Sequence, residues 1–164
     1  MFIGLGGARV DYIEVFMSGG DREAEDNLLL PAWTRGNWQA LFSCTQSRSY
    51  HSSEVVIQRG VSDRSLDFVA AGTLEVGITY VDGLSISPLA KIHAGSVIGE
   101  QSFFDAHPRS ANVWAVTDGE LLCLPFREFE KFADEEPLLA RDLLFALGRV
   151  LSLRLRNTTG RVRR

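Results

Sequence analysis

Residues 99–111 of the chain read GEQSFFDAHPRSA, and this stretch brings together two charged residue types that suit a phosphorylated sugar. Glu100 is a carboxylate that can accept a hydrogen bond from a ribose hydroxyl. Arg109 carries a planar fork of N–H donors that matches two phosphate oxygens. As an isolated pair, the two could equally form a buried salt bridge, so their neighbours decide the interpretation.

The neighbours of this pair are glycine and small polar residues. Gly99 precedes the carboxylate, and a single helical turn is predicted after it. The first backbone amides of that turn, at Gln101 and Ser102, can face an anion. Ser110 and Ala111 are small enough to let backbone amides approach a phosphate. The stretch therefore predicts an anion-binding loop between two strands.

At these residues the chain resembles the cyclic-nucleotide-binding domain family, which includes bacterial catabolite-activator-type sensors and the regulatory subunit of cAMP-dependent protein kinase. Gly99–Glu100 and Pro108–Arg109–Ser110–Ala111 are similar to the two ends of that family's phosphate-binding cassette, at the same separation. The resemblance extends over about residues 36 to 157. It departs at Gln101 and Ser102, where the family usually has an apolar residue and alanine.

The resemblance implies a ligand and a set of contacts. Glu100 would bind the ribose 2′-hydroxyl, and Arg109 would bind the cyclic phosphate together with the amides of the 100–103 turn and of Ser110–Ala111. Arg154 falls where the C-terminal helix would reach the purine. The expected ligand is cAMP, with cGMP as the alternative, and no metal or other cofactor is expected.

Strand-like texture fills the middle of the chain. From residue 54 to 124, short alternating apolar runs are punctuated by glycine at intervals of about ten residues, and Asp82–Gly83 is typical of a tight hairpin turn. This pattern predicts a mainly β fold with flanking α-helices. The expected architecture is a jelly-roll-like β-roll (double-stranded β-helix) closed by C-terminal helices.

The flanking regions are predicted as follows. Residues 1–33 form an N-terminal extension of unknown function, in which Tyr12 to Phe16 could be a strand and the acidic stretch from Asp21 to Asp26 is exposed. Residues 34–46 form a helix capped by Thr34. Residues 125–160 form the C-terminal helices, which complete a cyclic-nucleotide-binding domain spanning 34–164.

The last helix opens at Pro137, because proline fits the first helical turn. Its leucines at spacings of three and four predict a seam with a second copy of the chain: Leu144, Leu147, Leu151 and Leu155. Leu139, Leu143 and Val150 widen the stripe and would pack on the roll of the same chain. A stripe this broad also fits simple docking on the protein's own core, so both interpretations stay open.

Bulk properties narrow the class of partner. The net charge of −4 disfavours wholesale wrapping of nucleic acid, and the arginines near the end, from Arg154 to Arg164, are expected to be a solvated tail. No apolar run approaches the length of a membrane span, and the N-terminus lacks a signal-peptide pattern. We therefore expect a cytoplasmic protein. No DNA-binding helix-turn-helix follows the domain, which argues against a complete transcription factor; a fragment of a larger protein, such as a transporter, is the alternative.

Three functions compete. The first is a non-enzymatic regulatory sensor that binds a cyclic nucleotide and signals to an unknown output protein through its C-terminal helix. The second is a degenerate roll that binds no nucleotide and acts as an interaction or dimerisation module. The third is a cupin-like metal enzyme, which is disfavoured because His51, His93 and His107 are scattered without metal-ligand spacing. In the sensor, Arg109 is expected to face a solvated pocket, so that its loss would affect binding far more than stability.

Overall fold

The protein is described by a computed structural model that covers residues 2–5, 8–21, 24–79 and 86–162. The predicted turn at Asp82–Gly83 lies outside these residues. The strands are β1 Phe2–Leu5, β2 Ala8–Asp11, β3 Gln46–Tyr50, β4 Val55–Ile57, β5 Ser65–Ala71, β6 Thr73–Thr79, β7 Ile86–His93, β8 Val97–Ile98, β9 Asn112–Ala115 and β10 Gly119–Pro125. The helices are α1 Tyr12–Met17, α2 Arg35–Phe42, α3 Glu100–Asp105, α4 Phe126–Glu135 and α5 Pro137–Val162.

Two four-stranded antiparallel sheets form the roll. One has the order β3-β10-β5-β8 and the other the order β4-β9-β6-β7, while β1 and β2 pair separately. Non-consecutive strands are neighbours in both sheets, as the crossing connections of a jelly roll require. The predicted fold class, a mainly β roll closed by C-terminal helices, is confirmed.

The central strand β5 explains where the cores lie. All seven of its residues are buried. Successive side chains of a strand point to opposite faces, so both faces of β5 are covered. Leu66 and Phe68 join a core beneath the helices, whereas Val69 joins a smaller core between the two sheets. Burial on both faces makes β5 the strand on which the helical layer and the second sheet meet.

The predicted strand at Tyr12 to Phe16 is wrong, since these residues form α1. The side chain of Asp11 caps the helix by accepting hydrogen bonds from the amides of Ile13 and Glu14. The apolar residues Tyr12, Ile13 and Phe16 recur at helical rather than alternating spacing, and all three are buried against the helical core. A run of five residues is too short for its apolar pattern alone to separate a strand from a helix, and the Asp11 cap favours the helix.

The N-terminal region contributes directly to the main core. Leu28 and Trp33 are buried in the same cluster as Phe68 and Phe103 of the roll and α3. The domain boundary placed after residue 33 stays a prediction, and the packing adds that residues before it complete the hydrophobic core of the roll.

The flanking helices largely follow the sequence pattern. Thr34 caps α2 in a reciprocal arrangement with Asn37, but α2 ends at Phe42 and β3 begins at Gln46, earlier than the expected start of the roll. Helix α5 begins at Pro137 as predicted and runs for 26 residues. Among the described residues, no helix combines the length and hydrophobicity needed to cross a bilayer.

Asp67 is a carboxylic acid buried within β5, and it gives the fold a pH dependence. Burial raises the pKa of Asp67 to about 6, although a hydrogen bond with Cys123 and the charge of Arg109 act in the opposite direction. Between its ordinary pKa near 3.8 and this value, the folded protein holds a proton that the unfolded chain has released. The contribution of Asp67 to stability is therefore present below that window and is lost as the pH rises through it.

We expect Asp67→Asn to remove this loss of stability at higher pH, because asparagine does not ionise. The free energy of unfolding of the variant minus that of wild type should be about 1–3 kcal/mol larger at pH 7.5 than at pH 4. Urea denaturation of both proteins at the two pH values measures the change. A difference between variant and wild type that is equal at both pH values would contradict the assignment.

Candidate functional site

A cavity of about 1050 Å³ opens between the second sheet, α3 and α5. Its wall includes every residue that the sequence singled out for ligand binding: Gly99, Glu100, Gln101, Ser102, Arg109, Ser110, Ala111 and Arg154. Apolar side chains, among them Val76 and Ile92, line the side formed by the second sheet. The cavity thus has one polar, charged wall and one wall on which apolar side chains predominate, as binding sites for amphipathic small molecules have.

Gly99 sets the geometry of the charged wall. It follows β8 directly, adopts a left-handed conformation with φ of +80°, and immediately precedes α3. A Cβ atom at this position would collide with Nη1 of Arg109 and would lie 2.9 Å from the carbonyl oxygen of Ser65. The glycine is therefore required both for the backbone conformation and for the close approach of the arginine.

Arg109 is buried, with only 4% of its surface exposed. Its Nη1 donates to the carbonyl of Gly99 at 3.0 Å, and its Nη2 donates to the carboxylate of Asp63 at 2.9 Å and to the hydroxyl of Ser65 at 3.0 Å. The expectation of a solvated arginine is wrong, because Asp63 and Ser65, distant in sequence, supply partners that the local motif does not reveal. Substitution of Arg109 should therefore also cost stability.

The backbone of Arg109 is fixed as firmly as its side chain. Its amide donates to the carbonyl of Val61 at 2.9 Å, and its carbonyl accepts from the amide of Gly60 at 2.8 Å. This pairing holds residues 109–111 against the 58–61 turn. The side chain of Ser110 is exposed and that of Ala111 is half-buried on the cavity wall.

Glu100 is also buried, at 7% exposure, and its partner is on the last helix. Its Oε1 lies 2.8 Å from Nη1 of Arg154. The salt bridge weighed from sequence, between Glu100 and Arg109, is not formed. Each member instead pairs with a residue that lies far away in the chain.

Arg154 makes four contacts with three segments of the chain. Its Nε donates to Asp26 at 2.7 Å, and its Nη2 donates to the carbonyl of Val97 at 2.8 Å and to the hydroxyl of Ser96 at 3.2 Å. Burial alone would lower the pKa of Arg154, but the carboxylates of Glu100 and Asp26 outweigh it and raise the pKa above its ordinary value. The guanidinium thus stays charged and ties α5 to the cavity.

Asp26 is the residue of this network that sequence reasoning missed. It was expected to be exposed, yet only 18% of its side-chain surface is accessible. It lines the cavity and pairs with Arg154, which is 128 residues away. No local signal marks it, since an acidic stretch is usually a solvated surface.

The remaining predicted residues lie on α3, and the histidines lie apart. Ser102 is buried and Gln101 is exposed, both at the start of this short helix. His51, His93 and His107 do not converge. Across residues 2–5, 8–21, 24–79 and 86–162, no group of three or more potential metal ligands is found.

The family assignment rests on a match that covers more than half of the chain. The family model described as the cyclic nucleotide-binding domain matches residues 47–136. These residues include both buried charged groups of the cavity wall: Glu100, at the start of α3, and Arg109, in the connection between α3 and β9. The chain belongs to the cyclic nucleotide-binding domain family.

Similar proteins agree with this assignment. The "Cyclic AMP receptor protein" of Thermus thermophilus is 32% identical over 106 residues, which are 65% of this chain and 49% of that protein. The chain thus spans about half the length of that curated relative. The structure of the Thermus thermophilus catabolite activator protein superimposes with a TM-score of 0.67 and 28% identity, covering 79% of this chain and 58% of the other.

A cyclic nucleotide-binding domain from Methylobacillus flagellatus KT extends the structural likeness. It superimposes with a TM-score of 0.78 and covers 92% of this chain and 82% of its own, at 22% identity. At that identity the likeness concerns the fold, and it includes most of the helices as well as the roll.

The two glycines Gly99 and Gly148 offer a matched test of the cavity wall. We expect Gly99→Ala to lower the free energy of unfolding by about 2–4 kcal/mol, because the new methyl group meets Arg109 and the backbone is left-handed. Gly148 lies in α5 with open space around it, so Gly148→Ala should stabilise the protein by about 0.5–1 kcal/mol. Chemical denaturation of the two variants measures both changes, and equal effects would contradict the packing described for Gly99.

Proposed function

We propose that this chain binds a cyclic nucleotide, with cAMP as the expected ligand and cGMP as the alternative, and acts as a regulatory sensor. The observation that carries the proposal is the convergence of Gly99–Glu100 and Arg109–Ala111 on one wall of a single cavity. Both charged side chains are buried and held by fixed partners, so the wall is organised before a ligand arrives.

In the proposed complex, the cyclic phosphate binds at Arg109. The three contacts that fix its guanidinium use Nη1 and Nη2, not Nε. A phosphate would add charge-assisted hydrogen bonds to an arginine that is already oriented. The amides at Gln101, Ser102, Ser110 and Ala111 are the further proposed donors to the phosphate.

Glu100 is the proposed partner of the ribose 2′-hydroxyl. Arg154 engages Oε1 of this carboxylate, and a carboxylate can accept further hydrogen bonds on its other lone pairs. The apolar side of the cavity, with Val76 and Ile92, provides the surface on which a purine can lie. Arg154 is a further proposed site residue, because it lies on the cavity wall beside Glu100.

The proposed output runs through α5. Arg154 links this helix to Glu100, so a ligand that alters the Glu100 contact has a differential affinity for helix positions and shifts their equilibrium. This role requires no catalysis and no metal. If the chain is instead a non-binding interaction module, the titration described next should detect no binding.

We expect isothermal titration calorimetry to detect cAMP binding that is unchanged by EDTA. Arg109→Lys keeps the charge but loses the planar fork, and Arg109→Leu loses both; we expect affinity to fall about 10-fold or more for the first and by about 2–5 kcal/mol for the second. Both should also melt at lower temperature than wild type, because Asp63, Ser65 and the Gly99 carbonyl lose their donor.

The control is Arg127→Leu, which removes an exposed arginine from α4 and should leave binding unchanged. Titrations must run well below the melting temperature of each variant. Wild-type protein that binds neither cAMP nor cGMP would favour the non-binding module. Binding that is abolished by EDTA and restored by a divalent ion would exclude the metal-free site.

We also propose that α5 pairs with a second copy of the chain. Leu144 and Leu155 are 37% and 68% exposed, and with Gly148 and half-buried Leu151 they follow the four-three-four spacing of a helix seam. Leu147, which was expected in this seam, is fully buried in the protein's own core together with Leu143 and Val150. Helix α5 therefore has a separate outer stripe, from Leu144 to Leu155, besides the face that packs inward.

We expect Leu155→Glu to weaken self-association, because it places a charge in the outer stripe without disturbing the core. Leu138→Glu is the control, since Leu138 is similarly exposed at 66% but projects from another side of α5. Sedimentation equilibrium with and without cAMP measures the association constant. A wild-type protein that stays monomeric at high concentration in both conditions would contradict the proposed pairing.

A further inference from the structure

Residues 24–28 form a short segment beside α5, and we call it the 24–28 strap. Ala24, Glu25 and Asp26 line the cavity. The strap belongs to the N-terminal region, for which the sequence suggested no function. Asp26 of the strap contacts Arg154, which in turn contacts Glu100, the proposed ribose contact.

The strap is firmly anchored behind Asp26. Leu28 is fully buried, and its amide donates to the carbonyl of Gly95 at 3.0 Å. Asn27 is 3% exposed, and its side chain donates to the carbonyl of Gly19 at 2.8 Å. Arg149 of α5 reaches back to the carbonyl of Asn27 at 3.2 Å. The position of the Asp26 carboxylate is therefore set by the fold rather than by a mobile surface loop.

Asp26 holds one edge of the Arg154 guanidinium. Nε donates to Asp26, while Nη2 donates to Ser96 and Val97. Ser96 in turn donates to the carbonyl of Asp26 at 3.1 Å. Because the guanidinium is planar and rigid, fixing the Nε–Nη2 edge fixes the direction of Nη1. That remaining nitrogen lies 2.8 Å from Oε1 of Glu100.

We propose that Asp26 is a positioning residue for ligand recognition, acting through Arg154 to hold the Glu100 carboxylate toward the ribose 2′-hydroxyl. The inference rests on the proposed function and adds to it that the N-terminal strap sets the discrimination between ribo- and deoxyribonucleotides. The phosphate contact at Arg109 belongs to a separate set of hydrogen bonds, so the strap should influence the sugar contact selectively.

The selectivity follows from the charges in the network. Arg154 is the positive charge between two carboxylates, Asp26 and Glu100. Without Asp26, the guanidinium loses its strongest partner on the Nε edge and is free to rotate toward Glu100 and engage it in other geometries. The carboxylate then loses its fixed orientation, and a hydrogen bond that depends on alignment weakens. A ligand that lacks the 2′-hydroxyl is unaffected by that change.

The test compares cAMP with 2′-deoxy-cAMP on the chain of residues 1–164 by isothermal titration calorimetry. We expect wild type to bind cAMP about 10- to 100-fold more tightly than 2′-deoxy-cAMP, as for a hydrogen bond to a charged group. In Asp26→Asn this ratio should shrink by about threefold or more, with the affinity for 2′-deoxy-cAMP nearly unchanged. A ratio measured on one protein cancels any uniform loss of binding that a purely structural defect would cause.

The matched control is Asp134→Asn, which makes the same substitution at an exposed position of α4, outside the residues that line the cavity. The ratio of cAMP to 2′-deoxy-cAMP affinity in this variant should equal that of wild type. Arg154→Gln breaks the same link from the helix side and should shrink the ratio as Asp26→Asn does. It also keeps the test available if Asp26→Asn folds poorly.

The outcomes separate this inference from the proposed function. Wild-type protein that binds neither nucleotide overturns the proposed function and the inference with it. Wild-type protein that binds both equally overturns the ribose role of Glu100 and hence the role of Asp26. Discrimination in wild type that persists unchanged in Asp26→Asn overturns the positioning role of Asp26 alone.

Discussion

The close packing of the Arg109 guanidinium against the backbone of Gly99 is the contact around which the cavity is arranged. It requires a residue without a Cβ atom in a left-handed conformation at the end of β8. It also requires Asp63 and Ser65 to be brought across from the start of β5. Burying a charged arginine is unfavourable unless every strong contact is present, so this cluster constrains the backbone on both sides of the cavity wall.

The second arginine of the cavity wall, Arg154, is half-buried and plays a different part. Arg109 joins segments within the roll, whereas Arg154 joins the roll to residues near both ends of the described chain. Its contacts with Asp26, Val97 and Glu100 make the N-terminal strap, the strand before α3 and the last helix one connected unit. A cavity walled by such a unit offers a physical route from a bound ligand to the helix, because Glu100, the proposed sugar contact, is also the residue that pairs with Arg154 of α5.

Several features of the site follow from local sequence alone. The short helix after Gly99, the spacing from Glu100 to Arg109 and the start of α5 at Pro137 depend on neighbouring residues, and each could be predicted. The identity of the partners could not. Arg109 was expected to be solvated and Asp26 exposed, because hydrogen bonds across 46 and 128 residues leave no trace in local composition. Likewise, Leu147 has the same spacing as a seam residue, and only the packing of α5 shows that it faces inward.

The sequence by itself determined the class of fold, the location of the charged loop and the residue types available to a ligand. Alternation, glycine positions and helix caps act over a few residues, so their effects can be derived from the chain alone. The tertiary structure decided which charges neutralise one another and that the N-terminal region contributes to the core and the cavity. It also placed α1 against the roll, where Tyr12, Ile13 and Phe16 are buried in the helical core. Those outcomes depend on desolvation and long-range packing, which exist only once distant segments are in contact.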